Sequence, residues 1–125
     1  MNEVAKMEEE NLRAFYDAET QKVVEILKKA NPEKIIRFGS VTRGDLRQDS
    51  DLDLCILIER DDQEPCFRLK QRLFKLLFAE GYRHPISLDL HVYSPEEYLL
   101  NLRKGDPFLK EINKGEVVYA KGRST

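Results

Sequence analysis

Two carboxylates spaced two residues apart, Asp51 and Asp53, are the residues of this chain that most directly suggest chemistry. They follow a short apolar run and a turn of small and polar residues that begins with Gly39 and Ser40. Because alternate side chains of a strand point to the same face, the two carboxylates are predicted to project together. Mg²⁺ prefers oxygen ligands and is usually held by one or two carboxylates together with substrate phosphates. The stretch therefore predicts a Mg²⁺-dependent nucleotide site.

The turn itself carries residues suited to binding an anion. Gly39 lacks a Cβ, so a phosphate can approach its backbone, and Ser40 is predicted to cap a short helix with free N–H groups. Arg43 either faces phosphate or pairs with a carboxylate to stabilise the turn, and the second reading is favoured. Gly44 is expected to end the short helix in a left-handed conformation, and Ser50 to orient the entry into the acidic strand.

The spacing of apolar residues places this turn between two strands, in a chain where helices and strands alternate. Such an alternation predicts an α/β (α+β) fold in which helices cover a sheet. Nothing in the sequence forces a break between the first two predicted helices. The predicted helices cover 3–17, 19–30, 64–80, 94–103 and 105–113, the predicted strands cover 34–39, 52–59, 86–93 and 117–119, and a polar turn covers 61–63.

Alternation within two of these strands assigns side chains to faces. The helix predicted over 64–80 is expected to present a wide apolar face that includes Phe67 and Phe78. On the second strand, the predicted core face is Leu52, Leu54, Ile56 and Ile58, and the other face is Asp51, Asp53, Cys55 and Leu57. On the third strand, the core face is Ile86, Leu88, Leu90 and Val92, and the other face is Ser87, Asp89, His91 and Tyr93.

The acidic stretch resembles the signature of the nucleotidyltransferase superfamily that includes DNA polymerase beta. That signature is Gly-Ser, ten residues, then Asp-x-Asp, and here Gly39 and Ser40 are followed after ten residues by Asp51 and Asp53. The finer pattern, Gly-Ser-x-Ala-Arg-Gly followed by Ser-Asp-x-Asp-Leu, has one departure, because Thr42 stands where alanine is usual. The resemblance covers roughly residues 20 to 120. It implies a small mixed sheet with helices mainly on one face and the active acids on the open face.

The same resemblance implies a third carboxylate on a neighbouring strand, and Asp89 is the candidate. An acid within an alternating apolar strand needs a partner, because burying an unpaired charge is costly. A metal ion is the favoured partner; a salt bridge to an arginine such as Arg83 is the alternative. His91 shares the face of Asp89 and is interpreted as a polar residue at the rim of the cleft, with substrate contact as the less favoured reading.

The resemblance also implies a mechanism and a set of ligands. Asp51 and Asp53 would hold a first Mg²⁺ on the triphosphate of ATP, and with Asp89 they would hold a second. Two such ions about 4 Å apart stabilise the attacking and leaving oxygens of an in-line displacement. Gly39 and Ser40 would bind the β- and γ-phosphates, and Arg43 and Ser50 complete the predicted nucleotide-binding set. An acceptor hydroxyl would attack the α-phosphate, and Asp89 is a candidate proton acceptor.

The acceptor is suggested only by the size of the chain, which resembles the minimal nucleotidyltransferases. In that group the enzyme is the antitoxin of a HEPN/MNT toxin–antitoxin pair and transfers AMP from ATP to a tyrosine of the HEPN toxin. One alternative is a free-standing enzyme acting on a small-molecule or antibiotic hydroxyl. The other is a non-catalytic antitoxin that acts by binding. Mg²⁺ versus Mn²⁺, and a homo- or hetero-oligomeric state, stay open.

Composition narrows the class of protein. The 125 residues carry a formal charge of −2, with no basic excess for direct nucleic-acid binding. No apolar run approaches the roughly 20 residues of a membrane helix, and Cys55 and Cys66 lack metal-ligand spacing. We expect reduced thiols, a cytoplasmic location and one domain over 1–125, with a helical extension at 1–18 and a frayed tail at 121–125.

Overall fold

Helices and strands alternate along the chain, as the apolar spacing predicts. The computed structural model describes residues 2–59, 63–83 and 85–122, with side chains of the first helix described from residue 8 onward. The predicted turn at Asp61 and Asp62 and the end of the predicted tail lie outside the described residues. In chain order the elements are α1 Asn2–Leu27, β1 Lys34–Phe38, α2 Ser40–Arg43, β2 Leu52–Leu57, α3 Cys66–Ala79, β3 Leu88–Tyr93, α4 Pro95–Arg103, α5 Pro107–Asn113 and β4 Glu116–Ala120.

The four strands form one mixed sheet in the order β3-β2-β1-β4. Strand β1 is antiparallel to both β2 and β4, while β3 runs parallel to β2. The parallel register sets Asp53 beside Asp89, so two predicted site residues lie on adjacent strands. The predicted α/β fold with a small mixed sheet is confirmed.

The two faces of the sheet are covered differently. The long helices α1 and α3 pack on one face, where Leu52, Leu54 and Ile56 of β2 are fully buried. The short helices α4 and α5 pack on part of the other face, against Cys55 and Leu57. The predicted strand alternation is therefore confirmed, and the acids lie on the face of the short helices.

The helix ends follow local sequence chemistry. α1 runs unbroken across the two predicted helices, and after a 3₁₀ turn Asn31 ends it in a left-handed conformation with φ 60°. Ser94 forms a capping box with Glu97 at the start of α4, and Asp106 accepts hydrogen bonds from the first N–H groups of α5. None of the described helices is both long and apolar enough to cross a bilayer.

The wide apolar face predicted for α3 is wrong at both ends. Leu69, Leu73 and Leu77 are buried, whereas Phe67 and Phe78 are 61% and 66% exposed. The three leucines are spaced four residues apart and form one stripe along the helix. The two phenylalanines fall outside that stripe, because each helical residue is rotated by about 100° from its neighbour.

Candidate active site

Asp53, Asp89 and His91 bring one ligand atom each to within 4.8 Å of one another. Asp53 and Asp89 are neighbours across β2 and β3, and His91 lies two residues further along β3 on the same face. The His91 Nε2 atom is 3.1 Å from the Asp89 Oδ2 atom. All three residues are partly buried. The group is therefore open to a ligand, and it offers two carboxylate oxygens and one imidazole nitrogen.

The turn before the acids passes directly over Asp53. Gly39 has φ 85°, and a Cβ at this position would overlap the Oδ2 atom of Asp53. Glycine is required here both for the positive φ and for the close approach. The prediction that Ser40 caps α2 is wrong, because Gly39 is the N-cap residue and Ser40 is the first residue of the helix. Gly44 ends α2 with φ 90°, as predicted.

The Asp53 carboxyl has a strongly perturbed acidity. Its pKa is raised to about 6, mainly by burial and then by the charges of Asp89 and Asp51, while His91 and Arg43 lower it. The carboxylate is thus partly desolvated, and nearby positive charge does not balance its negative neighbours. A bound cation would supply that charge, so these residues fit a divalent metal.

Asp51 occupies a different position from the other two predicted acids. It precedes β2, is exposed, and is not a member of the three-residue group with Asp53. It lies near enough for its charge to raise the pKa of Asp53. The structure thus brings two of the three predicted metal ligands together and leaves Asp51 at the margin of the site.

A side chain of α1 donates a hydrogen bond to the loop that leads into β2. Tyr16 is fully buried, and its hydroxyl donates a hydrogen bond to the Ser50 carbonyl oxygen at 2.5 Å. The Ser50 hydroxyl oxygen accepts a hydrogen bond from the Arg47 N–H at 2.8 Å, which is the local hydrogen bond predicted for Ser50. Arg13 donates to the Val41 carbonyl oxygen at 3.0 Å. α1 is therefore hydrogen-bonded both to α2 and to the loop that precedes β2.

The alternative partner suggested for Asp89 is not observed. Arg83 lies over the ring of Phe78 and donates to backbone carbonyls. Among the described lysines and arginines, Lys70 forms the ion pair observed for Asp89, with its Nζ atom 4.0 Å from Oδ1. This distance is at the limit of an ion pair between partly exposed groups, so Asp89 is available to a metal.

The acids line a cavity of about 440 Å³ on the face of the short helices. Its aromatic wall is formed by Phe38, His91 and Phe108, with ring centroids 5.2 to 5.8 Å apart. Arg43 and Lys114 also line it, and the Arg43 side chain is paired with Asp45 at 3.4 Å. Arg43 therefore pairs with a carboxylate in the turn, as predicted, and also lines the cavity.

Sequence reasoning missed part of this cavity. His91, which the sequence predicts on the face of Asp89 and at the rim of the cleft, lines the cavity and is partly buried. Phe108 and Lys114 carried no signal, because their position depends on how α5 packs on the sheet through Leu109 and Ile112.

The small mixed sheet thus carries two acids on adjacent strands, a glycine turn against one of them, and a cavity with an aromatic wall. The nucleotidyltransferase domain family matches residues 20–120, and the chain belongs to that family. The protein is therefore a transferase of nucleotidyl groups. A protein of Methanocaldococcus jannaschii named "Putative protein adenylyltransferase MJ0141" is 28% identical over 75 residues, which are 60% of this chain and 73% of the relative. No solved structure matches the chain significantly.

Proposed function

We propose that the protein transfers AMP from ATP to a tyrosine hydroxyl of a HEPN toxin, and thereby acts as its antitoxin. The observation that carries the transfer chemistry is the meeting of the Gly39 turn, Asp53 and Asp89 in one cavity. A protein acceptor is supported by the relative named as a protein adenylyltransferase. The aromatic wall of the cavity suits a planar group, such as adenine or a tyrosine ring.

In the proposed reaction the acceptor oxygen bonds to the α-phosphorus of ATP, the bond from that phosphorus to the bridging oxygen breaks, and pyrophosphate leaves. Divalent ions, Mg²⁺ in the sequence-based prediction, would neutralise phosphate charge and favour the ionised acceptor. Asp53 and Asp89 would hold the metal, with Asp51 completing the ligand set from the margin. Asp89 is positioned to take the hydroxyl proton.

The phosphates are assigned to the turn side of the cavity. Gly39 leaves its backbone uncovered there, and Ser40 begins the helix that follows. Arg43 and Lys114 supply positive charge at the same cavity. Ser50 acts indirectly, through the loop that positions Asp51.

Intact mass spectrometry of a HEPN protein from the same organism tests this proposal. The HEPN protein is incubated with the chain, ATP and Mg²⁺. We expect a gain of one or more adenylyl units on a tyrosine, and no gain with Asp53→Asn. A mass gain on small alcohols but not on the HEPN protein would favour a free-standing enzyme. Neutralisation of the toxin by the inactive variant would favour binding alone.

A further inference from the structure

We propose that His91 is itself a metal ligand, so that one imidazole nitrogen joins the carboxylate oxygens of Asp53 and Asp89 in holding the ion. The inference rests on the proposed function only in placing the metal at the same site. The signature and the family resemblance point to three aspartates; His91 enters only through the observed geometry.

The positions of the three residues come from the backbone. Asp53 and Asp89 are paired in the parallel register of β2 and β3, and His91 is two residues from Asp89 on the same face. Their ligand atoms lie within 4.8 Å of one another. Asp51, the third predicted ligand, is outside this group. The nitrogen of His91 is therefore closer to the two central carboxylates than the third predicted acid is.

The distance between His91 and Asp89 suits two ligands of one ion. Adjacent ligands of an octahedral ion with bonds near 2.1 Å lie about 3 Å apart. The Nε2 atom of His91 and the Oδ2 atom of Asp89 are 3.1 Å apart. An ordinary hydrogen bond has a similar length, so the distance allows both arrangements. The position of Asp53 beside the pair favours a shared ion over a simple hydrogen bond.

The imidazole ring is held in this orientation from its other side. Phe38 and Phe108 contact the ring, with centroids at 5.3 and 5.2 Å. These contacts fix the plane of the ring while its Nε2 atom faces the carboxylates. Because the ring does not have to be reoriented, little conformational entropy is lost when it binds an ion.

A nitrogen ligand changes which metal the site prefers. Mg²⁺ is hard and favours oxygen, whereas imidazole suits first-row transition metals. Replacing His91 should therefore weaken Mn²⁺ binding much more than Mg²⁺ binding. If His91 only orients Asp89 by a hydrogen bond, both metals should be affected to a similar degree.

Pulsed electron paramagnetic resonance of the Mn²⁺-loaded chain, without nucleotide or acceptor, tests the inference. The chain has two histidines, so His84→Gln is the matched control for His91→Gln. We expect nitrogen hyperfine coupling to Mn²⁺ in the wild type and in His84→Gln, and its loss in His91→Gln. By calorimetry, His91→Gln should weaken Mn²⁺ binding by at least about tenfold.

A second variant separates loss of a ligand from loss of folding. His91→Asp restores an oxygen ligand, so it should bind Mg²⁺ at least as tightly as the wild type and show no nitrogen coupling. Absence of nitrogen coupling in the folded wild-type protein would overturn the inference, as would coupling that survives His91→Gln. Because no ATP is used, failure of AMP transfer with coupling intact would overturn only the proposed function.

Discussion

At Gly39 the backbone passes so close to the Asp53 carboxylate that a side chain has no room. Gly44 has a similar positive φ, yet a Cβ there would meet nothing within 4 Å. A side chain at either glycine would be strained by the positive φ. Only at Gly39 would a side chain also collide with a candidate metal ligand, Asp53.

Gly39→Ala and Gly44→Ala should each lower the free energy of unfolding by about 1–2 kcal/mol, because alanine is strained at positive φ. Only Gly39→Ala should also displace the Asp53 carboxylate, with a loss of roughly 100-fold in transfer rate. Urea unfolding and a transfer assay measure the two effects. Equal rates in the two variants would show that the Gly39–Asp53 contact does not matter.

The raised pKa of Asp53 predicts a pH-dependent stability in the metal-free protein. The folded-state pKa is about 6, above the ordinary value of 3.8, so the folded state binds the proton more tightly than the unfolded state. The resulting stabilisation is complete below about pH 4 and is lost as the pH rises through about 6. Urea unfolding in a chelating buffer should show this contribution disappear in Asp53→Asn and persist in Asp45→Asn. An unchanged pH profile in Asp53→Asn would contradict the assignment.

Among the secondary-structure elements, α1 supports the site indirectly, through hydrogen bonds to backbone oxygens of α2 and of the loop before β2. The matched family domain begins at residue 20, whereas α1 already contacts the site loop at Tyr16. Burial raises the pKa of the Tyr16 hydroxyl, and the charges of Asp49 and Asp51 raise it further, so the group stays protonated and donates. The part of α1 that precedes residue 20 therefore helps to hold the acidic strand.

Tyr16→Phe should lower the free energy of unfolding by about 1 kcal/mol, because the Ser50 carbonyl loses its donor. It should also reduce kcat of the transfer, since the loop before Asp51 is less well held. Tyr119→Phe, on the edge strand β4, is the control. A Tyr16→Phe enzyme with unchanged kcat would show that this loop needs no anchor.

The same elements show what the sequence can predict and why. The faces of β2 and β3 followed from alternation, because a strand has only two faces and its period is fixed. The apolar face predicted for α3 is too wide. Phe67 and Phe78 are hydrophobic in type, but they lie outside the stripe formed by the three buried leucines, and their residue type alone does not show this. The aromatic wall could not be predicted, since Phe108 reaches the cavity only through long-range packing of α5.

Across the whole molecule, Arg37 joins elements that are distant in sequence. Its guanidinium is buried and donates to Asp17 and Thr20 of α1 and to Glu116 of β4, at 2.8 to 3.0 Å. Its Nε atom has no hydrogen-bond partner among the described residues. Through these hydrogen bonds Arg37 connects the edge strand β4 to α1, on the face of the sheet opposite to the acids.

Arg37→Ala should lower the free energy of unfolding by roughly 2–3 kcal/mol, because one buried and two partly buried hydrogen bonds of a buried guanidinium are lost and a cavity is left. Arg43→Ala removes an exposed ion pair and should change stability by no more than about 0.5 kcal/mol. Thermal and urea unfolding provide the measurement. Equal stability of the two variants would mean that the Arg37 network contributes little.

The identity of the transferred group is the central claim for the molecule as a whole, and parallel reactions with α-labelled and γ-labelled ATP test it most directly. With a HEPN protein as acceptor, we predict that the α-label becomes bound to the acceptor and the γ-label leaves in pyrophosphate. Both signals should be lost in Asp53→Asn and Asp89→Asn and retained in Glu111→Gln, which changes another residue of the same cavity. Transfer of the γ-label to the acceptor, or α-label transfer that survives loss of both aspartates, would contradict the account.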